Sequence, residues 1–230
     1  MATALMEMPR SSEKARRRHA KNQQMLLHDV SWDQYIAIGN ALPERPRLRL
    51  TYDHGSLEFM VTSFEHDFFK YIFGMLIHFI CEECEIPYIA AGSMTFQKKE
   101  LEAGFEPDQC YWIQHEKQMR GRRSYNPERD PPPDLTVEIE VTRSALNRMQ
   151  LFASYKILEV WRFDGKEIHV CLLQANGSYK KVTKSPTFSI IPIAELVQFL
   201  QPNPNVDNLT ANREFRQWVR QQKRNRRKKK

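Results

Sequence analysis

The sequence predicts an α/β fold, a mixed β-sheet flanked by helices, and three observations predict it. A long apolar stripe runs through His66 to Cys84 with Phe68, Phe69, Ile72, Phe73, Leu76, Ile77, Phe79 and Ile80 recurring at helical spacing. Leu135, Val137, Ile139 and Val141 alternate strictly with Thr136, Glu138, Glu140 and Thr142, the period of a strand with one polar face. Three further strand-length runs follow at 157–163, 168–173 and 179–182, the last two joined by Asn176-Gly177, a hairpin turn pair.

The remaining elements fall into place around these. A helix is expected over Ser31 to Asn40, with Ser31 as its N-cap. Strands at 47–51 and 57–61 flank Tyr52-Asp53-His54-Gly55-Ser56, a hairpin turn. Residues 88–96 and 106–113 read as strands. Residues 114–133, polar and rich in Arg and Pro, read as a surface loop. Ser144 is expected to cap a short helix ending near Tyr155, and two helices close the chain, over 193–200 and from Leu209 onward.

With 230 residues, 41% hydrophobic and 27% charged, the chain can build one sizeable core, which excludes wholesale disorder; 8 Gly and 13 Pro exclude collagen-like classes. The net charge of +7 is unevenly spread. Residues 1–23 carry a net +4 and residues 220–230 carry eight Lys or Arg and no acid, leaving a mildly acidic −5 for residues 24–219. Three segments are therefore expected: a basic, mobile N-terminal segment (1–24), a folded domain (25–205), and a C-terminal helix with a basic tail (206–230). Basic ends suit a polyanion, chiefly nucleic acid, and Arg220, Lys223, Arg224, Arg226, Arg227 and Lys228 are the candidate contacts; a solubilising tail is the plain alternative. Four cysteines, no secretory signal and no membrane-length apolar run point to a reduced, cytoplasmic protein with no membrane partner.

The chemistry-bearing candidates are acids. Glu138 and Glu140, two apart on one strand, point the same way, and Asp108 sits in the preceding strand after Pro107. Like charges held close raise one another's pKa unless a cation offsets them, and three convergent carboxylates suit a hard cation such as Mg²⁺ or Mn²⁺. A solvated strand face is the alternative. Gly-rich phosphate loops and Gly-x-Ser-x-Gly elbows are absent from the sequence. Cys81-Glu82-Glu83-Cys84 is a lone CxxC without a second pair at zinc spacing, and His66 reads as a polar helix-end residue.

Taken in order, Gly55-Ser56-Leu57-Glu58, His66 opening an apolar helix, Gly92-Ser93-Met94-Thr95-Phe96, Glu106-Pro107-Asp108, the run from Asp130-Pro131-Pro132-Pro133-Asp134 through Glu138-Ile139-Glu140-Val141-Thr142, and Glu159-Val160-Trp161-Arg162 form a joint pattern. Over about residues 30–200 it resembles the bacterial Uma-type family of restriction endonucleases, within the PD-(D/E)xK superfamily. The resemblance implies a restriction-endonuclease-like core and Mg²⁺- or Mn²⁺-dependent hydrolysis of nucleic acid, DNA in the first instance. It matches Asp108 to the PD aspartate, Glu138 to the (D/E)xK acid, Glu140 to the lysine position, Arg148 to a basic residue displaced onto the following helix, and Glu58 to an acid after the first glycine turn. It implies that Asp108, Glu138 and Glu140 hold metal and that the protein can pair as a homodimer. Two departures stand out. Arg148 cannot serve as a general base, and Lys156-Ile157-Leu158-Glu159-Val160-Trp161 lacks the family's Gly and Pro. The rival expectation is a catalytically silent nucleic-acid-binding or protein-interaction module on the same fold.

Overall fold

The computed structural model describes residues 24–42, 47–141, 144–201 and 203–228. The mobility expected of residues 1–24 falls, Gln24 apart, outside the described residues. In chain order the elements are β1 Gln24–Leu27, α1 Trp32–Ala41, β2 Leu48–Asp53, β3 Ser56–Val61, α2 Phe64–Cys84, β4 Ile89–Ala90, β5 Phe96–Lys98, β6 Ala103–Phe105, β7 Gln109–Trp112, α3 Glu116–Met119, β8 Leu135–Ile139, α4 Arg148–Ser154, β9 Glu159–Phe163, β10 Ile168–Leu173, β11 Tyr179–Val182, α5 Ile193–Leu196 and α6 Asn208–Lys228.

The strands form two sheets, ordered β1-β3-β2-β6-β5 and β11-β10-β9-β8-β7-β4. Among the described strands only β8 and β9 pair in parallel, with Leu135 opposite Glu159 and Glu138 opposite Arg162. A parallel pair needs a crossover, and α4 supplies it.

Local chemistry explains where the helices begin and end. Ser31 caps α1 through a capping box: its Oγ accepts from the Gln34 amide while Gln34 Oε1 accepts from the Ser31 amide. Ser63 accepts from the His66 amide at 3.2 Å, so α2 starts at Phe64, ahead of the expected His66. It ends where Glu85 turns left-handed, φ 58°.

The apolar stripe of α2 drives the packing. Phe69, Phe73, Ile77 and Ile80 bury against Val137 and Ile139 of β8, Trp161 and Phe163 of β9, and Phe215 and Val219 of α6. A fully buried Phe73 alone contributes roughly 2 kcal/mol of apolar transfer. A second core, with Cys110, Trp112, Val160, Leu151 and Phe152, joins the six-stranded sheet to Phe96 and Phe105 of the five-stranded one. Because both sheet faces are covered, all five residues of β8 are buried, Thr136 and Glu138 included. The polar face legible in the alternation is therefore an interior surface.

Several boundaries differ from expectation for physical reasons. The strand expected over 88–96 is broken at Gly92, where φ is +57°: β4 ends at Ala90 in one sheet and β5 starts at Phe96 in the other. The strand expected over 106–113 shortens to β7, because Pro107 has no amide to give the ladder. Asp108 thus stands just outside β7. Glu140 lies just beyond the end of β8. The helix cap is Asn147, not Ser144; its side chain accepts from the Gln150 amide.

α6 docks on the C-terminal end of α2 through a charge clamp. The Glu83 carboxylate accepts from Arg216 Nε and Arg220 Nε, both at 2.6 Å. Lys223 donates to the Glu83 carbonyl at 2.9 Å and to Glu85 Oε1 at 2.8 Å. Among the described helices none is long and apolar enough to cross a membrane.

Candidate active site

The antiparallel register of β7 and β8, with Gln109 opposite Val137, carries Asp108 next to Glu138. Asp108 Oδ2 accepts from the Ile139 amide at 2.8 Å, which fixes its carboxylate against the end of β8. α2 approaches from one side and delivers His66, whose Nε2 lies 3.1 Å from Asp108 Oδ2. β2 approaches from another and delivers Arg49, whose Nη2 lies 3.7 Å from Asp108 Oδ1. Burial penalises the Asp108 charge, but the His66 hydrogen bond and charge, Arg49 and the Ile139 amide outweigh it and hold the carboxyl below its ordinary pKa. Burial likewise pulls His66 down, yet its hydrogen bond to Asp108 and the Asp108 charge hold the imidazole above its ordinary value.

Glu138 has the opposite balance. It is 4% exposed, and burial pushes its carboxyl up to about 7; Arg148 opposes that rise, while Asp108 and Glu140 add to it. Arg148 opens α4 directly over this acid. Its Nε donates to Glu138 Oε2 at 3.0 Å and its Nη2 to Oε1 at 3.1 Å, a bidentate fork. The other donors reach Thr51 Oγ1 and the Glu106 carbonyl, each at 2.9 Å. The guanidinium also lies 5.4 Å from the Phe152 ring centroid, one helical turn on. Arg148 is thus locked into the site by two sheets and its own helix.

The two remaining acids have other partners. Glu140 is held by Arg162 of β9, with Nε to Oε1 at 2.6 Å and Nη2 to Oε2 at 2.5 Å. Glu58 of β3 is 1% exposed and accepts from Ser144 Oγ and the Ala145 amide, both at 2.6 Å, and from Gln24. It ties the segment before α4 to the five-stranded sheet. This is where Ser144 is used.

Asp108, Glu138, Glu140, Arg148 and Glu58 nonetheless line one small cavity of about 40 Å³, together with His66, Arg49, Thr51, Thr62 and Ser144. Among the described residues no set of three or more His, Cys, Asp or Glu side chains is already arranged around one point where a metal ion could sit. The cysteines lie elsewhere and all four are free thiols; burial pushes Cys81 up to about 12, the mark of an inert thiol. Of the basic tail, Arg220 and Lys223 are committed to Glu83 and Glu85, Arg226 donates to Ser189 Oγ at 3.0 Å, Arg224 is exposed, and the side chains of Arg227 and Lys228 lie outside the described residues.

Arg49 is a residue that sequence reasoning missed, and His66, read there as a polar helix-end residue, is bonded to Asp108. A further signal for His66 was its place on the same face of α2 as Lys70 and Gly74, the face laid against Asp108 and Gln109.

The family described as "Uma2: Putative restriction endonuclease" matches residues 32–201. Among solved structures, "a putative nuclease belonging to DUF820 from Anabaena variabilis" shares the fold, with a TM-score of 0.51 at 14% identity, over 74% of this chain and 98% of that one. No curated protein matches the chain. The matched span ends before α6.

Proposed function

The chain belongs to the Uma2 family of restriction-endonuclease-like nucleases, and from that premise we propose that it is a divalent-metal-dependent endonuclease that cuts phosphodiester bonds in DNA. One observation carries the reading: two buried carboxylates, Asp108 just before β7 and Glu138 in the neighbouring β8, share a cavity with a locked arginine.

The donor set fits a hard cation. Carboxylate oxygens are what Mg²⁺ and Mn²⁺ prefer, and Mg²⁺ is commonly held by one or two carboxylates with waters and substrate oxygens completing its shell. A cavity of about 40 Å³ leaves room for such small groups. Asp108 and Glu138 would hold the ion, with Glu140 joining if it exchanges Arg162. Glu58 is the further candidate, at the cost of releasing Ser144. A bound divalent ion supplies a lowered water pKa and polarises the phosphate.

The chain's own residues divide the remaining work. His66 and the Ile139 amide keep Asp108 ionised and aimed. Glu138 orients the attacking water through a carboxylate oxygen. Arg148, permanently charged, stabilises negative charge that builds on the phosphate by sharing its fork between Glu138 and the substrate. The exposed end of α6 draws the polyanion toward an otherwise mildly acidic protein.

Supercoiled plasmid and single-stranded DNA incubated with Mg²⁺, Mn²⁺ or EDTA test this. Cleavage that requires the ion and is lost in Asp108→Ala and in Glu138→Ala is expected. Cleavage that persists in EDTA, or survives both substitutions, defeats the reading.

A second reading is favoured by one specific observation: Glu138 and Glu140 are each already matched by an arginine fork. On that ground the fold is a silent nucleic-acid-binding module. Salt-sensitive DNA binding with no cleavage in either metal selects it.

A further inference from the structure

We propose that Arg49, Lys70 and Ser93 form a phosphate-binding subsite beside Asp108, built to seat a backbone phosphate of the substrate strand. That the phosphate belongs to nucleic acid rests on the nuclease reading; that the subsite binds phosphate does not.

The three residues come from three elements, β2, α2 and the turn that Gly92 makes between the sheets. Ser93 is exposed, and its hydroxyl is the meeting point. It accepts from Arg49 Nη1 and from Lys70 Nζ, the latter at 2.8 Å, and it donates to the Pro107 carbonyl at 3.1 Å. A hydroxyl has one donor and two acceptor sites, so Ser93 is saturated. Two cations therefore converge on one neutral oxygen.

Among the described residues, the ion pairs of Arg49 to carboxylates are long, and Lys70 donates to the neutral Ser93 hydroxyl. Arg49 Nε is buried and, among the described residues, has no hydrogen-bond partner. Its approaches to Asp108 and Glu106, 3.7 and 4.0 Å, are longer than hydrogen bonds. Burial and the Arg49 charge hold Lys70 below its ordinary pKa, against the pull of Asp108, Asp67 and Glu138. A phosphate brings several charged acceptor oxygens to two cations that share one neutral hydrogen-bond acceptor, Ser93 Oγ, and charge-assisted bonds to it are the stronger kind. The Ser93 bond to the residue before Asp108 sets this subsite directly beside the cavity.

Titration of the full-length protein with inorganic phosphate, without divalent metal, tests the subsite by calorimetry. Lys70→Met, which keeps the apolar stem, is expected to weaken phosphate about tenfold and Lys70→Arg to restore it. In EDTA the same Lys70→Met change should make the salt dependence of oligonucleotide binding shallower by about one. Circular dichroism shows whether each variant is folded, and Lys70→Gln serves if Lys70→Met is not. Absence of phosphate binding in the wild type, or equal affinity in wild type and a folded Lys70 variant, overturns the subsite whatever the cleavage assay shows. Phosphate binding that depends on Lys70, in a protein that cuts no DNA, upholds the subsite and defeats only the nuclease reading.

Discussion

His66 Nε2 lies 3.1 Å from Asp108 Oδ2 across 42 residues of sequence, joining the first turn of the core helix α2 to the acid that borders the candidate site. The contact makes α2 both the main hydrophobic prop of the sheet and the element that sets the ionisation of Asp108. Removing it isolates a buried charge. His66→Ala is expected to destabilise the protein by about 2 kcal/mol, since among the described residues Asp108 is then left with Arg49 and the Ile139 amide as its main partners. Urea denaturation measures this, and an unchanged midpoint contradicts it.

The Glu138–Arg148 fork should behave as a unit. Arg148→Met leaves an uncompensated buried carboxylate and should cost about 3–5 kcal/mol. Adding Glu138→Gln should recover much of that loss. A double-mutant cycle in denaturant reads the coupling, and additive effects contradict a direct pair.

The Glu83 clamp gives a pH prediction. The hydrogen bond from Arg220 holds the Glu83 carboxyl below its ordinary pKa, with Arg216 adding to it. A depressed folded pKa contributes stability at pH values above the unfolded glutamate pKa of about 4.3, and that stability is lost as pH falls through the folded value. Trp218, packed on Phe199 and Phe215, reports the docking of α6. Its fluorescence should change on acidification below about pH 4, and Glu83→Gln should remove that transition.

The same clamp sorts the basic tail. Oligonucleotide binding followed by anisotropy should lose about one unit of salt slope in Arg224→Gln. Arg220→Gln and Lys223→Gln should change the slope far less, because those charges already face Glu83 and Glu85. Equal effects at all three positions contradict this.

Much of the fold was legible because it rests on local signals. Ser31 and its Gln34 partner, the stripe of α2 and the alternation of β8 all speak within a few residues. The site was legible in part. The alternation picked out Glu138, and Asp108 followed Pro107, but their partners depend on register and distance in sequence. Arg162 reaches Glu140 from the parallel strand β9, and Ser144 is taken by Glu58 across 86 residues. Gly92 lies inside the run expected as one strand over 88–96, and its left-handed turn parts β4 from β5. The buried face of β8 was hidden for a related reason: two cores cover the sheet, and a strand's own period cannot show what lies over it.

A crystal soaked in Mn²⁺ tests the central claim most directly, because Mn²⁺ is visible by its anomalous scattering. An anomalous peak between Asp108 and Glu138, with the Arg148 fork shifted off one Glu138 oxygen, is the predicted result. No peak there at saturating Mn²⁺, with Arg148 still bidentate on Glu138, contradicts it.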